Sequence, residues 1–81
     1  MFIPSPKELA LLVVNQRKKL KLSQAEVSEL TGLKQQTVSD FEINPESTKL
    51  NTLFQILSAV KLDIHLLTKD DINKDRWEKE W

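Results

Sequence analysis

The sequence predicts a mainly α domain of four to five short helices, closed by one C-terminal β-strand. Three observations predict it. Leu22–Glu42 reads as two short helices around Gly32, the single glycine of the chain. The stretches before and after it carry apolar residues at helical spacing. Leu62–Leu67 then changes to a period of two, with Leu62, Ile64 and Leu66 alternating with Asp63, His65 and Leu67. Eighty-one residues bound this at one small domain with a modest core. With no cysteine, neither a disulfide nor a thiolate metal site can staple it. Stability must come from packing, with dimerisation as a further source. The longest apolar run, Leu9–Val14, is far too short for a bilayer and lacks signal-peptide flanks. A soluble cytoplasmic protein is the expectation.

Met1–Pro4 has no periodicity and is open to being an arm or a short edge strand. Ser5-Pro6-Lys7-Glu8 starts a helix: Ser5 caps, Pro6 suits the first helical position and Glu8 completes the box. That helix should run from Pro6 to about Lys19, with Leu9, Leu12, Val13 and Leu20 as its core stripe. Leu11 and Val14 lie off the stripe. They are either scattered surface apolar residues or cover for a protein partner or dimer mate.

The next helix has Ser23 as N-cap and Glu26 three residues on, a capping box. Ala25, Val27 and Leu30 form its small apolar inner side. Gly32 can end it in the left-handed conformation, and Leu33 plugs the turn. Gln35–Glu42 is then a helix with Val38 and Phe41 inward. This leaves Lys34, Gln35, Gln36 and Ser39 outward at its start. A glutamine amide can bind adenine N6 and N7 together in a major groove, and lysine can reach guanine or a phosphate. The layout is that of a helix-turn-helix reader. Ile43–Ser47 is a loop with an Asn-Pro turn signal. Thr48 can cap a further helix from Lys49 to about Val60, with Leu50, Leu53, Phe54, Ile56, Leu57 and Val60 on its apolar side.

A lone strand at 62–67 cannot satisfy its own backbone or bury a face. Pairing with the same strand of a second copy solves this and gives a two-fold dimer, which reads a palindrome. Pairing with Met1–Pro4, or continuation as a fifth helix, are the alternatives. These elements set a DNA-binding and dimerisation domain at 1–67 and an acidic tail, expected to be mobile when free, at 68–81. The tail holds both tryptophans, Trp77 and Trp81. Each could anchor in a partner's pocket or fold back on the core.

Net charge is zero, which argues weakly against DNA. The charges are unevenly placed, however. Arg17, Lys18, Lys19 and Lys21 precede the helix-turn-helix, whereas Asp70, Asp71, Asp75, Glu78 and Glu80 fill the last dozen residues. The local field governs phosphate contact more than the total does. Catalysis is disfavoured. His65 is the only histidine, one glycine cannot form a phosphate loop, and the acidic residues lack metal-loop spacing. No metal and no cofactor is expected.

The stretch SQAEVSELTGLKQQTVSDFE resembles the helix-turn-helix of the lambdoid phage repressor and Cro family, the Xre family. The likeness covers roughly Pro6–Leu62, and its most specific parts are Ser23-Gln24, the Gly32 turn and Lys34-Gln35-Gln36-Thr37. With the lone strand and an acidic tail ending in Glu-Trp, the chain looks most like HipB-type antitoxins. That resemblance implies a repressor-like dimer that binds operator palindromes, represses its own operon on bacterial DNA and holds a HipA-type serine/threonine kinase toxin. It places Gln24 on a phosphate. The full expected phosphate set is Arg17, Lys19, Ser23, Gln24 and Thr37, and the base-reading set is Lys34, Gln35, Gln36 and Ser39. Toxin contacts are expected at Leu11, Val14, Trp77 and Trp81. Two departures stand out: Lys21 where a loop glycine is common, and Asp40 where the phage readers carry an amide. Two other readings stay open at this point. One is an Xre regulator of phage or plasmid type without a toxin. The other is an interaction module with a weakened DNA face.

Overall fold

Short local signals fix the ends of the helices. The computed structural model describes residues 2–69. In it α1 spans Pro6–Lys19, α2 Gln24–Thr31, α3 Gln35–Ile43 and α4 Leu50–Ala59, with a 3₁₀ turn at Pro45–Ser47. Ser5 Oγ accepts from the Glu8 N–H at 3.3 Å, and Pro6 opens α1. Only this half of the expected box forms there. At α2 the box is complete: Ser23 Oγ accepts from Glu26 N–H, and Glu26 Oε1 accepts from Ser23 N–H, both at 3.0 Å. Gly32 ends α2 at φ 78°. Asn44-Pro45 breaks the chain into the 3₁₀ turn, with Pro45 buried. Thr48 does not cap α4. It closes the 3₁₀ turn through its N–H to the Pro45 carbonyl, and Lys49 takes the N-cap position without a side-chain bond.

Helices α1 and α4 both end in the same backbone motif. Lys21 N–H bonds the Lys18 carbonyl and Leu22 N–H the Arg17 carbonyl; Lys61 and Leu62 repeat this with Ser58 and Leu57. These are Schellman motifs, with lysine in the left-handed position at φ 59° and φ 60°. Each turns its following leucine back onto the core.

The core is Ala10, Val13, Val27, Val38, Phe41, Ile56, Leu57 and Val60, with Leu9, Leu20, Leu22, Leu33, Leu53, Ala59 and Leu62 packed around it. Several expected inner residues are not in it. Ala25 and Leu30 of α2 are exposed, as are Leu50 and Phe54 of α4, and Leu12 is half-buried. The reason is visible on α2. Its inward stripe is Gln24, Val27, Ser28 and Thr31, at the spacing of one helical face. Ser28 and Thr31 can face inward because their hydroxyls donate to the Leu33 and Val27 carbonyls. Ala10, small enough for close helix contact, takes a place on α1 that the larger leucines were expected to hold. Gln16 Nε2 donates to the Val60 carbonyl at 3.1 Å and ties α1 to the end of α4.

Among the described residues there is no strand. Residues 62–68 form neither helix nor strand, and Phe2–Pro4 does not pair with them. Among the described residues, the expected strand therefore has no pairing partner. Trp77 and Trp81, with the rest of 70–81, lie outside the described residues. No helix among the described residues is long and apolar enough to cross a membrane.

Candidate nucleic-acid interface

The start of α3 projects from the molecule because Val38 and Phe41, inward at i and i+3, turn the opposite face outward. Lys34, Gln35 and Gln36 are exposed there, and Thr37 and Ser39 are half-buried. Lys34 is the N-cap but makes no side-chain cap bond, and no acid lies in the first turn. Its carbonyl takes the Thr37 and Val38 N–H groups. The positive end of the α3 dipole is thus left uncompensated beside a lysine, a setting that favours an approaching phosphate. Gln36 Nε2 donates to Asp40 Oδ1 at 2.8 Å, one turn along the same exposed side.

Behind α3 lies a charge cluster that joins three helices. Glu42 Oε2 accepts from Arg17 Nε at 2.8 Å, and Glu42 Oε1 accepts from Arg17 Nη2 at 3.1 Å and from Gln24 Nε2 at 2.9 Å. Arg17 Nη1 donates to the Leu22 carbonyl at 2.9 Å. The pair is nearly buried, with side-chain exposures of 12% for Arg17 and 8% for Glu42. Such a bidentate pair keeps both charges satisfied away from water. Arg17, expected on a phosphate, is therefore turned inward: its guanidinium is committed to Glu42 and Leu22. Gln24 keeps its carbonyl while Glu42 fixes its amide nitrogen. Ser23 uses its oxygen as an acceptor and retains its hydroxyl proton to donate outward. Lys19 is exposed in the last turn of α1.

Glu42 joins the candidate site through Arg17 and Gln24, and the sequence alone does not point to it. It lies 25 residues from Arg17 and 18 from Gln24, a separation at which no local pattern gives a signal. The Gln36–Asp40 pair had one, since i and i+4 are neighbours on any helix. Residues 2–69 carry nine basic and seven acidic side chains, whereas 70–81 carries three and five. The zero total thus hides a mildly basic excess in residues 2–69.

Leu11, expected at a protein partner, is 60% exposed, and Val14 is half-buried. Leu62 packs on the core, while Ile64 and Leu66 are exposed.

The helix-turn-helix family HTH_3 matches residues 15–67. The antitoxin HipB of Escherichia coli (strain K12) is 33% identical over 78 residues, covering 96% of this chain and 89% of that one. A second HipB, from an Escherichia coli O6:H1 strain, shows 33% identity over 78 residues and is covered to 83%. The chain belongs to the HipB-type, Xre-like helix-turn-helix family. Solved HipB-type structures agree in fold. A chain of the HipA-HipB-O2-O3 complex superimposes with a TM-score of 0.82 at 36% identity, over 85% of this chain and 97% of that one. A chain of the HipB-O4 20mer complex gives 0.81 at 36% identity, over the same shares. Within this HipB-type chain, the candidate DNA residues Arg17, Lys19, Ser23, Gln24 and Lys34–Ser39 all fall inside the family match.

Proposed function

We propose that this chain is a DNA-binding antitoxin that represses transcription as a homodimer on operator palindromes and restrains a HipA-type kinase toxin. The observation that carries it is the exposed opening of α3, which offers one lysine and two glutamines with no acid in the first turn. The likeness to HipB chains of the HipB-O4 20mer complex and of the HipA-HipB-O2-O3 complex supports both halves of the reading.

In the proposal Gln35 and Gln36 contact base edges, with Lys34 at guanine or phosphate and Ser39 beside them. Ser23, Gln24, Thr37 and Lys19 hold phosphates at the starts of α2 and α3 and the end of α1. Arg17 acts one step back: through Glu42 it holds α3 and the Gln24 amide in place. A gel shift at physiological salt tests this. Gln35→Ala and Gln36→Ala should each lose roughly 1–3 kcal/mol of discrimination between the cognate and a scrambled palindrome. Equal affinity of mutant and wild type for the cognate site would remove the base-reading assignment.

Toxin binding is assigned to Leu11 and Val14 on α1 and to Trp77 and Trp81. Deleting 77–81 should weaken toxin binding and leave operator affinity near wild type. Loss of operator binding in that truncation would make the tail part of the fold instead.

A further inference from the structure

On α3, Gln36 and Asp40 are both on the outer side, joined by the 2.8 Å bond from Gln36 Nε2 to Asp40 Oδ1. A carboxylate oxygen only accepts, so the amide nitrogen must face Asp40 and the amide carbonyl must face away. The partner thereby fixes an orientation that a glutamine alone leaves open. A primary amide has two N–H donors, and Asp40 takes one. One N–H and one carbonyl remain, the combination that pairs with N7 and N6 of adenine. A side chain already tethered loses less freedom when it docks. The same carboxylate repels phosphates, and it does so on every sequence alike. A group that weakens all duplexes while sharpening one interaction serves specificity rather than affinity.

We propose that Gln36 and Asp40 form a single reading unit that selects adenine at one position of the bound duplex, with Gln36 contacting the base and Asp40 as its positioning residue. This rests on the DNA reading given above. The test uses the full chain and a randomised duplex library, with bound sequences counted for wild type, Gln36→Ala, Asp40→Ala and the double variant. Wild type should enrich adenine at one position, and Gln36→Ala should erase that preference. Asp40→Ala should lower the preference by about two- to tenfold, the cost of ordering one long side chain on docking, while binding of a scrambled duplex stays level or tightens. In the Gln36→Ala background, Asp40→Ala should change base preference no further. Thermal midpoints near wild type in all variants separate this from damage to the fold. Wild-type preference in Asp40→Ala would overturn the pair and leave the DNA reading standing. A wild type that enriches no sequence would overturn the DNA reading and this inference with it.

Discussion

Arg17 has five N–H donors, and the protein directs three of them inward, two to Glu42 and one to the Leu22 carbonyl. Removing one partner of such a pair leaves a nearly buried charge alone. Arg17→Ala is therefore expected to cost about 3 kcal/mol of stability in denaturant titration. Replacing both partners, Arg17→Met with Glu42→Leu, removes the orphaned charge and should bring stability back to within about 1–2 kcal/mol of wild type. That double variant also decides the role of Arg17 at DNA. Its binding should keep the wild-type salt dependence. The exposed Lys34 is the contrast: Lys34→Ala should lower the slope of log affinity against log salt by about one unit, equivalent to one phosphate fewer neutralised. A slope lowered in the double variant as well would put Arg17 on the backbone of the duplex after all.

At the level of the helices, ends are set by backbone geometry that one residue type tolerates better than others. Gly32 holds φ 78°, and a Cβ added there meets nothing within 4 Å. Gly32→Ala should thus lose about 1 kcal/mol from left-handed strain alone, read as a lower unfolding midpoint. Lys21 and Lys61 carry that strain already. Lys21→Gly should raise stability by up to about 1 kcal/mol while the core packing stays as it is. These stops were readable in the sequence because a cap or a glycine acts on its own neighbours. The bounds of α1 and α2 follow from Ser5-Pro6, Ser23, Glu26 and Gly32 directly. Inner faces were harder. Ser28 and Thr31 point inward on α2 because the backbone answers their hydroxyls, so an apolar pattern passes over them and chooses Leu30 instead. The site divides in the same way. Lys34, Gln35 and Gln36 stand outward, as the inward pair Val38 and Phe41 requires. The inward turn of Arg17 depends on Glu42, which only the folded chain brings near.

At the scale of the molecule, the unanswered element is 62–67. Its alternation asks for an extended partner, yet within the described chain these residues form neither helix nor strand. Leu66 is 91% exposed, and Ile64 and Leu67 are exposed beside it. Burying such side chains against a copy of themselves would gain roughly 25 cal/mol for each Å² of apolar surface covered. It would also give the backbone of 62–67 a ladder to join. A two-fold pair then places two α3 helices on one duplex, and the second docking event becomes intramolecular. Leu66→Asp sets two charges face to face at that seam, or directly beside each other, and should convert a dimer to a monomer in sedimentation equilibrium. Its affinity for a full palindrome should fall by about tenfold or more, because the linked second half-site is no longer engaged, while affinity for a single half-site should hold. A wild type that sediments as a monomer at micromolar concentration would remove the strand-paired dimer. Loss of half-site binding in Leu66→Asp would instead mean that the residue supports the fold of its own chain.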